Sequence, residues 1–175
     1  PEDRRQCRFD PILAAADGAL AVKPWVRMRR DLAMPVPAPI WPAGYRLAPF
    51  ATADLPPLHE LLTLGYGLGG SHVPPFEDLR AALLADSDFD PALVFVVRGT
   101  GDAVAAICLC WSSAFIKDLV VHPSARRQGL GEALLRQAFT TFAARGADAV
   151  DLKVELDNPT GARRLYERAG MKEVA

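Results

Sequence analysis

One stretch limits what this chain can fold into more than any other. The apolar, β-branched run "FIKDLVV", residues 115–121, passes through His122 and Pro123 into "SARRQGLG". A stripe of Leu130, Leu134, Ala138 and Phe142 follows. The run reads as a strand ending at Val121, because proline cannot continue a ladder. The four-residue spacing of the stripe marks a helix beginning near Gly129. A strand turning straight into a helix points successive N–H groups into one concavity at the positive end of the helix. Such a concavity favours phosphate. Gly129 and Gly131 remove the Cβ atoms that would hold a pyrophosphate off the backbone, and Arg126 and Arg127 can add charge-assisted contacts. Two familiar phosphate motifs are excluded: no GK[ST] closes the loop, and the glycines are not spaced GxGxxG. The plainer alternative is a strand-to-helix turn with solvated arginines, since glycine is common in turns.

The rest of the chain supplies the setting. "YRLAPF" is a short strand, and the spacing of Leu55, Leu58, Leu61 and Leu62 predicts a helix over 52–66 with Thr52 as its N-cap. "GLGGSHVPP" is a loop, and Phe76, Leu79, Ala82 and Leu83 mark a second amphipathic helix. "ALVFVVRG", "AVAAICLCW" and "FIKDLVVHP" follow with short connections, as an antiparallel meander. Gly146 ends the helix after the turn. Val150, Leu152, Val154 and Leu156 then alternate with Asp151, Lys153 and Glu155, which predicts a half-buried strand. "TGARRLYERAG" closes as a short helix capped by Gly170.

With 175 residues, half of them hydrophobic, the chain can bury one substantial core. Lys and Arg number 20 against 21 Asp and Glu, so no broad basic surface for nucleic acid or anionic lipid is expected, and any anion site must be local. No run approaches the roughly 20 apolar residues of a membrane span, and the first residues form no signal-peptide core, so a cytoplasmic protein is expected. Cys7, Cys108 and Cys110 form no CxxC pair and suggest neither a disulfide framework nor a metal site. Cys108 and Cys110, two apart on one strand face, read as buried thiols.

Residues 1–43 read as an extension ahead of a main domain over 44–175. Asp17-Gly18 between apolar runs signals a hairpin turn, and Val26 and Met28 alternate with Arg27 and Arg29 as in a strand. Pro35, Pro37, Pro39 and Pro42 make an extended connector.

"VVHPSARRQGLGEALL" resembles the acetyl-CoA motif of the GNAT superfamily of N-acetyltransferases, [Q/R]xxGx[G/A], here Arg126, Gly129 and Gly131. "DNPTGARRLYERAGM" resembles the second motif of that superfamily through Asn158, Tyr166, Gly170 and Met171. The resemblance implies an α+β fold in α/β/α layers: a mixed, mostly antiparallel sheet, splayed at the cofactor site, with helices on both faces. It implies acetyl-CoA as cofactor, no metal, and direct attack of a primary amine on the thioester. Leu119, Val120 and Val121 would pair with the pantetheine arm. Arg126, Arg127, Gln128, Gly129, Leu130, Gly131 and Glu132 would hold the pyrophosphate, chiefly through the amides of 127–132. A backbone N–H near Val120 would face the oxyanion, and Tyr166 would protonate the departing thiolate, unless it simply fills the core. Asn158 would cap the last helix, contact pantetheine, or do both.

For the base that takes the proton from the amine, three candidates stand: Asp118 acting through water, Glu155, and His72, with bulk water as the alternative. Tyr66, His72, Phe76, Glu77 and Trp111 are candidates to line the pocket of a small-molecule or peptide amine. The superfamily follows its second motif with two strands, for which little sequence remains after Gly170. The segment "LAVKPWVRMRRDL" is expected to supply the missing strand, within the chain or across a homodimer, unless the tail is cut short. A non-catalytic acyl-CoA-binding sensor or interaction module is the alternative from another class, and it would need neither Tyr166 nor an amine pocket. A nucleotide-binding regulator without coenzyme A is a third.

Overall fold

The computed structural model describes residues 24–68 and 72–174. In chain order they form β1 (Trp25–Asp31), β2 (Arg46–Ala48), α1 (Leu55–Gly67), α2 (Phe76–Ala85), β3 (Phe89–Arg98), β4 (Val104–Trp111), β5 (Phe115–Val121), α3 (Leu130–Ala144), β6 (Ala149–Glu155), α4 (Ala162–Arg168) and β7 (Lys172–Val174). The described strands make one sheet in the order β2-β3-β4-β5-β6-β1-β7. Every neighbouring pair is antiparallel except β5 with β6. Helices lie on both faces, as expected of an α/β/α fold.

Two apolar layers hold the sheet. On one face the leucines of α1 (Leu55, Leu58, Leu61, Leu62) and α2 (Leu79, Leu83) pack on Val94, Val96, Ile107 and Leu109. On the other, Leu130, Leu134, Leu135, Phe139 and Phe142 of α3 pack on Leu93, Phe95, Cys108 and Leu152. A strand covered on both faces needs apolar side chains at every position, and Leu93–Val97 of β3 and the whole of β4 read that way. Each fully buried leucine contributes about 1.5–3 kcal/mol, so these layers dominate the stabilisation. Cys108 and Cys110 are fully buried with their sulfurs 3.6 Å apart.

The N-terminal strand lies inside the sheet, in the same chain. β1 pairs with β6 from Trp25↔Glu155 to Asp31↔Ala149, and on its other side with β7, Met28 opposite Glu173. Val26 and Met28 face the α3 layer, and Met28 is only 1% exposed. β7 is a strand that periodicity did not foresee, because three residues are too few to show alternation. Cys7 and the Asp17-Gly18 turn lie outside the described residues, as does the centre of the glycine loop.

Three local expectations change. Thr52 is not the N-cap of α1: residues 52–54 form a 3-10 turn, and the buried Asp54 carboxylate accepts the Ala51 N–H (2.8 Å) and Arg98 Nη2 (2.5 Å). A buried carboxylate with a half-buried arginine partner outcompetes a hydroxyl there. β6 ends at Glu155, leaving Leu156 exposed. Asp151, expected on a solvated face, is buried because β1 brings Arg27 and Arg29 onto it.

Candidate active site

The geometry of the site begins where two strands part. β5 and β6 are paired at Phe115↔Asp151 and Ile116↔Leu152. Beyond that point β5 stays with β4 (Leu119↔Cys108, Val120↔Ile107, Val121↔Ala106), while β6 stays with β1 (Lys153↔Arg27, Glu155↔Trp25). A V-shaped cleft opens in the sheet between Leu119–Val121 and Lys153–Glu155. Its vertex coincides with a β-bulge. Leu109 opposes Asp118 but Cys110 opposes Ile116, so Lys117 is the extra residue. The bulge resets the alternation of β5. Ile116 faces the α3 layer, whereas Asp118 and Val120 both face α1.

That reset puts a carboxylate against an apolar wall. Asp118 is buried beside a pocket lined by Leu58, Leu61, Leu62, Ile107, Leu109 and Val120. Tyr66 donates its hydroxyl to Asp118 Oδ1, and Lys117 Nζ stands 3.7 Å from Oδ2. Gly65 makes this contact attainable. A Cβ there would lie 2.8 Å from Val120 Cγ1, so only glycine lets α1 settle on β5 and bring the next residue, Tyr66, to Asp118.

Tyr166 reaches the same vertex from α4, on the opposite face. It is buried in the α3 layer. Burial, followed by the neighbouring Cys108 and Asp118, pushes its phenol well above the ordinary range, so it holds its proton at any working pH. Tyr166 and Asp118, distant in sequence, lie on opposite faces of the sheet near the vertex, close enough for the carboxylate to bear on the phenol.

The turn after β5 has the form expected of a phosphate cradle. Arg127 (φ 63°) and Gly129 (φ 92°) are left-handed on either side of Gln128, an alternation that turns successive N–H groups inward. The first helical hydrogen bond is Ala133 N–H to the Gly129 carbonyl (3.0 Å), so the amides just before Ala133 have no partner inside the helix. A Cβ on Gly131 would come 2.9 Å from Leu165 of α4, which ties this turn to the helix carrying Tyr166.

The side chains around the turn do other work. Arg126 Nε donates to the Val121 carbonyl (3.1 Å), pinning the end of β5, while Arg127 is exposed. Gln128 Nε2 donates to the Ser124 carbonyl (3.3 Å), and Glu132 pairs with Arg136. Asn158 Oδ1 accepts the Thr160 N–H (3.0 Å) in an Asx-type turn, while the N-cap of α4 is Gly161.

The remaining candidates are dispersed. Glu155 lies on the β6 arm of the cleft. His72 is exposed after the glycine loop, and Glu77 is exposed on α2 and pairs with Arg80. Phe76 is half-buried edge-on to His59. Trp111 is 5% exposed inside the α1 layer, where it packs as core. Lys117 and Gly65 had no signal in the sequence: one owes its place to a bulge, the other to a helix–strand contact.

A sheet opened between parallel strands, with a glycine turn at one arm and a buried carboxylate and phenol near its vertex, makes this an α/β/α protein with a cleft between the parting strands. Residues 55–171 match the acetyltransferase (GNAT) family, and the chain belongs to that family. It is similar to mycothiol acetyltransferase of Beutenbergia cavernae, 35% identical over 144 residues that cover 77% of this chain and 47% of that protein. Mycothiol acetyltransferase of Clavibacter michiganensis is 34% identical, with 77% and 44% covered. A solved GCN5-related N-acetyltransferase from Sphaerobacter thermophilus superposes with a TM-score of 0.74 at 29% identity, covering 86% of this chain and 48% of that one. The chain thus spans about half the length of these relatives. Acetyl-CoA is the acetyl donor of the family.

Proposed function

We propose that the chain transfers the acetyl group of acetyl-CoA to a primary amine. The observation that carries this reading is the parting of β5 and β6 beside the glycine turn, with the Tyr66–Asp118 hydrogen bond at the vertex. When bound, acetyl-CoA supplies a thioester carbonyl; the amine nitrogen forms the new C–N bond as the C–S bond breaks. The amides of 127–132 fit its diphosphate, and the edge of β5 at Leu119–Val121 that no described strand pairs fits its amide-bearing arm. The β6-side N–H groups of β5 past the bulge have no strand to bond and are placed to face a developing oxyanion. Asp118, oriented by Tyr66, takes the proton from the amine through water, and Tyr166 gives its own to the leaving sulfur. The structure of β1 supports a sheet completed in one chain, so no second copy is called on for that purpose. No helix among the described residues is long and apolar enough to cross a membrane, and we place the protein in the cytoplasm.

The relatives are named for mycothiol, which makes a mycothiol-type amine the first acceptor to try in a broad panel. The test is release of free thiol from acetyl-CoA on addition of each amine. Tyr166→Phe should lower kcat about 10²-fold or more while leaving acetyl-CoA affinity unchanged. Tight binding with no turnover on any amine would defeat the enzymatic reading in favour of a binding module.

A further inference from the structure

The half of the sheet beyond the cleft carries an unusual cluster on its α1-side face. Trp25, Arg27 and Arg29 of β1 stand directly opposite Glu155, Lys153 and Asp151 of β6, and Lys172 of β7 stands opposite Arg29. Directly paired residues share a face. Phe115 pairs with Asp151 and packs into the α1 layer, so this is also the face from which Asp118 projects. α1 and α2 pack over β3, β4 and β5, so among the described residues no helix covers the cluster beside the cleft.

Two guanidiniums are fixed there by one carboxylate. Arg29 Nε and Nη2 donate to Asp151 Oδ1 and Oδ2 (2.7 and 2.8 Å), and Arg27 Nε donates to Oδ2 (3.0 Å) with its Nη2 on the same oxygen. Burial pushes the Asp151 carboxyl up, but the hydrogen bonds from Arg29 and Arg27 and their charges outweigh it and hold it below its ordinary value. One arginine would neutralise one carboxylate. On this face Arg27, Arg29, Lys153 and Lys172 outnumber Asp151 and Glu155 by two charges, and Lys153 is held with its ammonium 4.1 Å over the Trp25 ring. Each guanidinium has five N–H donors and spends only part of them on Asp151. The Arg27 and Arg29 side chains remain 31% and 46% exposed, so their outer edges are open to a ligand. Long side chains already immobilised give up little rotamer entropy on binding, which makes this pair a preorganised anion receptor.

We propose that Arg27, Arg29 and Lys153 recognise an anionic group, a carboxylate or phosphate, on the amine substrate. This rests on the acetyl-transfer reading above. β1 is the second strand from β5 and adjacent strands lie about 4.8 Å apart, so a nitrogen beside Asp118 is two strand spacings, about 10 Å, from the strand that carries the guanidiniums. The substrate is therefore a small primary amine carrying its negative charge at that distance. Asp151 is a positioning residue in this arrangement.

The test uses the full chain and matched acceptors: hexylamine, the aminohexanoate with its carboxylate at the far end, and the corresponding aminohexyl phosphate. At saturating acetyl-CoA, kcat/KM for the two anionic amines should exceed that for hexylamine about tenfold, equivalent to about 1.4 kcal/mol. The phosphate and carboxylate arms show which anion is preferred. Arg27→Gln, which leaves Asp151 its Arg29 partner, should collapse the anionic-to-neutral ratio through KM; Lys153→Gln, at a half-exposed position, should lower the same ratio. Calorimetric binding of aminohexanoate to the CoA-loaded protein gives a second readout, weakened about tenfold in Arg27→Gln. Equal kcat/KM for charged and neutral amines, or a ratio untouched in both variants, overturns the proposal while leaving acetyl transfer standing. Binding of the anionic amine through Arg27 without turnover of any amine supports the receptor and overturns acetyl transfer instead.

Discussion

Substituting Gly65 by alanine would put a methyl group where α1 rests on β5. The new Cβ would meet Val120 Cγ1 at 2.8 Å, Cγ2 at 3.3 Å and Cβ at 3.7 Å. Val120 is β-branched and buried, so it has no free rotamer to yield. Restoring an ordinary contact of 3.4 Å from 2.8 Å requires α1 to lift by about 0.6 Å. Overpacking of this kind costs about 1–3 kcal/mol. Alanine returns up to about 1 kcal/mol of helix propensity, so the net destabilisation should be about 0–2 kcal/mol. The coupling is more telling than the single value. Val120→Ala alone should cost about 1.5–3 kcal/mol by lost burial. In the Gly65→Ala background the same change also removes the clash, so the double variant should be more stable than the sum of the singles by about 1–2 kcal/mol. Urea unfolding of the four proteins measures the cycle. The lifted helix should also draw Tyr66 from Asp118 and lower kcat in Gly65→Ala, with partial recovery in the double variant. Additivity within about 0.5 kcal/mol would refute the close approach of α1 to β5 as the reason for glycine at this position.

Two further predictions concern the turn and Asp151. Replacing both Gly129 and Gly131 by valine forces a β-branched residue to φ 92° and drives a side chain into Leu165, so acetyl-CoA affinity measured by calorimetry should fall at least about 100-fold, while unchanged affinity would remove the phosphate cradle from the mechanism. The Asp151 carboxyl binds fewer protons folded than unfolded because its folded pKa is depressed below 3.8; the stability it contributes is present above that value and is lost as pH falls through the folded pKa. The gap in melting temperature between the natural chain and Asp151→Asn should therefore be full at pH 7 and shrink below about pH 4, and a pH-independent gap would contradict the arginine clamp.

Much of the frame was legible along the chain because it rests on local rules. The leucine stripe of α1, the continuous apolar runs of β3 and β4 and the meander into β5 follow from periodicity and short connections. The turn at Arg126–Gly131 could be placed at the start of α3 because glycine and proline leave few backbone choices. Other features had no local signature. Alternation on β6 marked Asp151 as polar and therefore solvated, but its burial follows from charges on a strand about 120 residues away. Trp111 read as a candidate to line the acceptor pocket, yet its strand is covered on both faces, so the ring fills the α1 layer.

Sequence alone determined that a glycine-bearing turn links β5 to α3 and that Tyr166 rides a short helix after β6, since strand, turn and helix signals act over a few residues. Only the tertiary structure decided that an extra residue at Lys117 swings Asp118 toward α1, that β5 and β6 part just there, and that β1 sets Arg27 and Arg29 on the face from which Asp118 projects. Those outcomes depend on pairing between segments far apart in the chain, where register is settled by which side chains can share a buried face.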